Sequence, residues 1–443
     1  MPEEITRDNL NFVRNRVFRD YAAMYLDISD GFISQVEQFG LPFKIDPEAK
    51  GRTEKLIDEL EQCPDVIVRN DRASLVYKRI SPACEACKNG VDTITSHISF
   101  NCHRRCFFCF NPNQENYETH LDSKNDWRAE LEHIHRTGGN LTHIALTGGE
   151  PLLYPDDCLE FFKCAKELFP DAHLRLYTSG DLLTKPYLVK LKKAGLDELR
   201  FSYKMEDTKT VQKKVLNRMQ TAVGIIPSVM VEMPVMPDCE TEMQELLVKL
   251  DEIGIFGINL LELCFPYNNA PAFSARGFAL RFPPYRTLYN FWYAGGLPVA
   301  GSEEVALRLM KFAVEKELNL GIHYCSLENK NFGQMYQQNK VLATPDTSLM
   351  FSQKDYYLKT VKAFGEDADA VKKLLDKRGV TDYVYNRRAD FIQFHPRYAK
   401  LLTGRRVELA LSVNVQEYRD GEVVTKELKL LRADVKELDP ENL

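Results

Sequence analysis

The chain has 443 residues, 44% of them hydrophobic, and a net charge of −6 with acidic and basic residues interspersed. That length allows two or three domains, or one large α/β domain with extensions, and the charge pattern gives no nucleic-acid footprint. No apolar run approaches a membrane span and none follows the start Met-Pro-Glu-Glu, so a cytoplasmic protein with no membrane partner is expected, whose eleven cysteines serve as free thiols or metal ligands.

Residues before about 81 read as mixed structure: a polar helical start, a helix near 53–60, and short strands near Val66 and Leu75. They form either a layer packed on the central α/β region or a small substrate-docking module. From about Val91 to Cys264 strand and helix alternate, the pattern of βαβ units on a parallel sheet. Strands are expected at 93–100, 143–146, 173–177, 199–203, 228–233 and 257–263. Helical spacing separates them, as in Met243, Leu246, Leu247 and Leu250 on one face. Six such repeats with right-handed crossovers give an α/β fold, a partial (β/α)6 TIM-like barrel, with ligand-binding residues at the carboxyl ends of its strands. A Pro/Gly/aromatic-rich stretch follows Cys264, then a helix at 302–318 with Glu303 and Glu304 in its first turn. Near the C-terminus Val407, Leu409, Leu411, Val413 and Val415 alternate with mostly polar residues up to Asp420-Gly421, a hairpin. The expected division is 1–90, a mixed region; 91–264, the barrel core; and 265–443, an α+β extension ending in the hairpin.

Three cysteines at the end of the first strand carry the chemistry: Cys102, Cys106 and Cys109, in Cys102-His103-Arg104-Arg105-Cys106-Phe107-Phe108-Cys109. They supply three thiolates from one loop, one fewer than a closed four-cysteine cluster, which leaves a coordination position for something that is not protein. A structural zinc site is the other use of such a loop. One strand–helix unit later comes Thr147-Gly148-Gly149-Glu150-Pro151, where two glycines let backbone approach a ligand and Glu150 offers a carboxylate.

This pair of motifs resembles the signature of radical S-adenosylmethionine (SAM) enzymes, with Phe108 at the aromatic position before the last cysteine. The resemblance covers roughly residues 91–264. It implies a 4Fe–4S cluster on Cys102, Cys106 and Cys109, with SAM chelating the fourth iron. It implies that Gly148, Gly149 and Glu150 hold the amino group of SAM, that Ser179 lies in the small turn after the third strand, and that Ser202 touches the ribose. Lys204 stands where many relatives have an acidic residue, which suggests a cation for the SAM carboxylate. Leu260 and Glu262 fall where relatives contact the adenine. The implied reaction is reductive cleavage of SAM to a 5′-deoxyadenosyl radical, which abstracts a hydrogen atom from substrate. The electron comes from a flavodoxin- or ferredoxin-type donor.

The flanking extensions leave room for a peptide groove, and the chain resembles maturases of ribosomally made peptides, which implies a precursor peptide as substrate, acted on with or without a separate leader-binding partner. A small-molecule substrate and a non-catalytic Fe–S protein are the alternatives. Arg104 and Arg105 either balance the cluster's charge or lie on the surface. Cys84-Glu85-Ala86-Cys87 is a second candidate metal site, for an auxiliary Fe–S cluster or a structural zinc, with Cys63, Cys239, Cys264 and Cys325 as conceivable partners. Cys264 and Cys325, each near a strand end, are also candidates for a catalytic hydrogen donor.

Overall fold

The structure, a computed structural model, describes residues 2–289, 296–341 and 346–443. They fall into two compact units, one of residues 40–284 and 291–333, the other of 1–39, 285–290 and 334–443.

The larger unit is built on one nine-stranded sheet. Its strands are β1 (Val66–Arg69), β2 (Ser74–Tyr77), β3 (Thr93–His97), β4 (His143–Thr147), β5 (His173–Thr178), β6 (Glu198–Phe201), β7 (Ser228–Val235), β8 (Gly257–Glu262) and β9 (Gly321–Cys325). From β3 at one edge to β9, seven strands lie side by side in chain order, all parallel. The antiparallel hairpin β1–β2 then continues the sheet beyond β9. Because the order never reverses, right-handed crossovers put every connecting helix on the same face. That is the arrangement of a partial barrel rather than a doubly wound sheet.

The two faces of the strands differ in chemistry. Leu176, Leu199, Val231, Ile258 and Ile322 belong to the main hydrophobic cluster. Helices Trp127–Arg136, Pro155–Leu168, Lys185–Lys193, Lys209–Val223 and Glu240–Ile253 supply Leu131, Phe161, Leu188, Met219 and Leu247 to it. Local chemistry starts these helices cleanly: the Thr184 and Thr208 hydroxyls accept from the Tyr187 and Val211 N–H groups. The alternate residues, Arg175, Tyr177, Glu198, Arg200, Glu232, Asn259 and His323, point to the opposite, inner face.

The smaller unit has a seven-stranded sheet of its own in which Leu358–Phe364 lies between Leu409–Arg419 and Phe391–Phe394, all antiparallel. Leu409–Arg419 and Glu422–Ala433 form the expected hairpin, and Asp420 and Gly421 both take positive φ, as a two-residue turn of matching twist requires. Helices Arg16–Glu37 and Gly365–Lys377 accompany it.

These units correct the division at residues 90 and 264. The hairpin β1–β2 and β9 hydrogen-bond into the parallel sheet, and helix Ser302–Glu315 contributes Val305, Leu309 and Met310 to its core. Residues 40–90 and 296–333 therefore belong with the barrel, while 1–39 fold with the C-terminal segment. No helix among the described residues is long and apolar enough to cross a membrane.

Candidate functional site

The cysteine loop leaves the end of β3, as expected, and Cys102, Cys106 and Cys109 are all half-buried. Burial raises each thiol's pKa, that of Cys106 to about 11. Lys204 pulls all three down, so its ammonium stands beside the whole set. The thiols share the loop and influence one another electrostatically. Among the described residues, however, no three His, Cys, Asp or Glu side chains are gathered at metal-ligating separation.

The loop is braced from several sides. The Arg104 guanidinium pairs with Asp207 and, at 3.2 Å, with Asp181, and His103 Nε2 is 2.9 Å from the same Asp181 carboxylate. Arg104 is therefore a strut to the turns after β5 and β6, while Arg105 is exposed. Asn111 Nδ2 donates to the Gly148 carbonyl (2.7 Å) and Asn269 Nδ2 to the Phe107 carbonyl (3.0 Å). Phe108 packs edge-on against Phe107, which in turn meets Phe273. Asn111, Asp181 and Asp207 carry no signal in the sequence, because their roles depend on which turns meet.

Gly148-Gly149-Glu150 follows β4 and lies against the start of that loop. The Gly149 N–H donates to the Ser99 carbonyl and the Glu150 N–H to the Asn101 carbonyl, each at 2.9 Å. Glu150 is only 2% exposed and its carboxylate accepts four hydrogen bonds, from the Leu152 N–H, Thr178 Oγ1, Ser179 Oγ and the Ser179 N–H, at 2.6–3.1 Å. Four is the capacity of a carboxylate. Glu150 and Ser179 are thus bound to each other, and Glu150 braces the turn after β5.

Lys204 is 6% exposed, donates to Ser202 Oγ at 3.2 Å, and has no carboxylate within ion-pair distance among the described residues. Leu260 is fully buried in the hydrophobic cluster under the helices, so it is a core residue. The Glu262 carboxylate is also buried, 2.6 Å from the Arg281 guanidinium and accepting from the Leu327 N–H at 2.9 Å. Burial raises its pKa to about 7 against the pull of Arg281.

The remaining cysteines separate into groups. Cys84 lies on the inner face of the sheet, where its sulfur accepts from Arg200 Nη2 (3.2 Å) and Asn259 Nδ2 (3.3 Å). Cys325, at the end of β9, accepts from Asn329 Nδ2 (3.2 Å) and feels both Cys84 and Cys87 electrostatically. Cys63 and Cys239 are engaged elsewhere, Cys63 with the Glu59 carbonyl and Cys239 with Asp238 and Arg276. Cys264 pairs with the strand Leu297–Pro298, and burial raises the thiols of Cys264 and Cys325 to about 12. Cys158 and Cys164 are buried packing residues of helix Pro155–Leu168. His323 is a satisfied core histidine, bonded to Ser74 Oγ (3.0 Å) and Asn259 Oδ1 (3.1 Å). The polar inner face was open to discovery in the sequence, because Arg175, Glu198, Arg200, Glu232, Asn259 and His323 all interrupt otherwise apolar strands.

Residues 96–247 match the family model described as the radical SAM superfamily. A Methanocaldococcus jannaschii protein, named as a glycyl-radical enzyme activating enzyme, is 28% identical over 269 residues, which cover 58% of this chain and 66% of the relative. The PqqA peptide cyclase of Gluconobacter oxydans is 32% identical over 25% of this chain and 30% of its own. The GTP 3′,8-cyclase of Nautilia profundicola is 36% identical over 29% of this chain and 41% of its own. Among solved structures, Streptococcus suis SuiB bound to precursor peptide SuiA matches with a TM-score of 0.39 and 14% identity, over 55% of this chain and 51% of SuiB. In each case the matched region is less than two thirds of the relative. The family match starts inside β3 and ends in the helix before β8, and so takes in both motifs; over these residues the chain is similar to the radical SAM superfamily of enzymes.

Proposed function

We propose that this protein reductively cleaves SAM at a 4Fe–4S cluster on Cys102, Cys106 and Cys109 and abstracts a hydrogen atom from a ribosomally made precursor peptide. When bound, the cluster supplies the electron that splits SAM. The residues present fit both groups. The donor set is three thiols from one loop, and Lys204 is a buried ammonium beside them with Ser202 as its hydrogen-bond partner. Glu206 acts on this ammonium only electrostatically, with no ion pair formed, and a buried charge without a direct counter-ion costs several kcal/mol, so this position calls for a closer anion. The SAM carboxylate, next to a negatively charged cluster, is such an anion, and this is the observation that carries the reading. Lys204 then orients SAM. Gly148 and Gly149 hold the turn close to the cysteine loop, Glu150 fixes the turn after β5, and the Phe107–Phe273 packing steadies the loop.

The peptide substrate is supported by the PqqA peptide cyclase among the relatives, and GTP 3′,8-cyclase favours the small-molecule alternative. A flavodoxin- or ferredoxin-type donor and a leader-binding protein are the partners this reading needs.

The test is anaerobic. Reconstituted wild type and a Cys102/Cys106/Cys109-to-Ala variant are reduced with dithionite and given SAM, with and without a precursor peptide encoded beside the gene. 5′-Deoxyadenosine is expected from wild type alone. A full, reducible cluster that yields none under either condition would support a non-catalytic Fe–S protein instead. Lys204→Met is expected to keep its iron but lose about 2 kcal/mol or more of SAM binding, roughly 30-fold in affinity, measured by equilibrium dialysis. Arg104→Gln is expected to do the reverse: SAM contacts remain, while iron retention against a chelator weakens about 10–100-fold because the loop loses its strut.

A further inference from the structure

We propose that the inner face of the parallel sheet carries a second metal centre, an iron–sulfur cluster ligated by Cys84, Cys87 and Cys325. The three come together from distant parts of the chain. Cys84 lies in the short helix Pro82–Ala86 and Cys87 is its C-terminal cap, while Cys325 ends β9. In register, Cys325 stands beside Leu261 of β8, two residues along the same face from Asn259, whose amide donates to Cys84. The Cys87 carbonyl lies so close to Gly333 that a Cβ there would approach within 3.3 Å, which sets this segment against the chain that follows β9. The segment is anchored by Ser81, whose hydroxyl donates to Glu198 (2.6 Å) and accepts from Arg200 (3.0 Å).

The surroundings are those of a thiolate site. Arg200 and Asn259 give N–H bonds to Cys84 and Asn329 gives one to Cys325, and donors to sulfur are what stabilise and tune thiolate-bound clusters.

Arg175 is the independent observation. It is 9% exposed, and its Nε and Nη1 are buried without a hydrogen-bond partner. Glu198 of the neighbouring strand β6 and Glu232 of β7 beyond it are both bonded to Arg200. Arg175 acts electrostatically on Cys84 and Cys87 and is repelled by Arg200. Arg175 lies over the Tyr177 ring and feels Glu198 electrostatically, but a buried guanidinium with two N–H groups unbonded is costly unless an anion joins it. A dipositive Fe–S core held by three thiolates is a monoanion, formed as three thiol protons leave.

Among the described residues no three potential ligands are gathered closely enough to hold a single ion, a requirement that a cluster, with a separate iron for each thiolate, does not share.

The experiment uses the full chain without SAM, so its outcome is independent of the function proposed above. The Cys102/Cys106/Cys109-to-Ala variant is reconstituted anaerobically with ferrous iron and sulfide, and iron, acid-labile sulfide and sulfur-to-iron absorption are measured. The variant is expected to retain all three, and adding Cys84→Ser and Cys87→Ser is expected to remove them. In wild type, which needs no substitution, alkylation mapped by mass spectrometry is expected to show Cys84, Cys87 and Cys325 protected after reconstitution. The proposal is overturned if the first variant, with wild-type circular dichroism, takes up no iron or takes up zinc alone. Equal alkylation of Cys87 before and after reconstitution overturns it as well.

Discussion

Gly149→Ala is expected to slow 5′-deoxyadenosine formation about a hundredfold while leaving the protein folded. A Cβ at Gly149 would sit 2.0 Å from the Asn101 carbonyl oxygen and 2.6 Å from the Phe100 carbonyl carbon, both backbone atoms that cannot turn aside. The Gly-Gly-Glu turn and the start of the cysteine loop must then part by an ångström or more. That separation breaks the two hydrogen bonds, Gly149 N–H to Ser99 and Glu150 N–H to Asn101, that dock one motif on the other. Displacing a reacting group by about 1 Å costs on the order of a hundredfold in rate. The packing strain itself costs about 1–3 kcal/mol. Gly51→Ala is the matched control, because an added Cβ there meets nothing and the residue lies within helix Ala49–Glu61. It should be neutral, or more stable by about 0.5–1 kcal/mol. Deoxyadenosine from Gly149→Ala within threefold of wild type would refute the coupling between the two motifs.

That coupling marks the limit of what local sequence can reveal. The cysteine loop and the Gly-Gly-Glu turn were legible because each is local, a spacing of residue types at the end of a strand. The six parallel strands were legible too, since β-branched and apolar runs alternated with helical periodicity, and their observed bounds lie close to those expected. What could not be read was which turn meets which. Asn111 on the Gly148 carbonyl, Arg104 between Asp181 and Asp207, and Glu150 saturated by Thr178 and Ser179 are all contacts between segments remote in the chain. β9 was visible as a strand end but not as the seventh parallel strand, because its register is set by the pairing of Asn259 with His323. The charged residues of the inner face stand out in those apolar runs, but which of them pair could not be read, and only that pairing makes their burial tolerable.

That pairing makes Arg200→Met the most destabilising substitution expected on the inner face, with a reversed dependence on acid. All five guanidinium N–H groups of Arg200 are used: Nε to Glu198 (2.5 Å), Nη1 to Glu232 (2.6 Å) and Tyr177 (3.1 Å), Nη2 to Ser81 (3.0 Å) and Cys84 (3.2 Å). Glu198 is fully buried, and Arg200, helped by His173 and Ser81, outweighs the burial that opposes its ionisation and lowers its pKa from 4.5 to about 2. A depressed carboxylate pKa contributes stability that is complete above the unfolded value and is lost as pH falls through the folded one. The window is therefore pH 4.5 to 2. The amount is on the order of 3 kcal/mol at about 1.4 kcal/mol per unit. Urea unfolding of wild type and Glu198→Gln between pH 6 and 2 should show wild type losing that much more than the variant. Removing the arginine leaves Glu198 and Glu232 without their cation, which costs about 3–5 kcal/mol at neutral pH. Protonating those carboxyls relieves the cost, so Arg200→Met should regain stability relative to wild type as acid is added. If Arg200→Met and wild type instead lose stability in parallel, the ion pair does not organise this face.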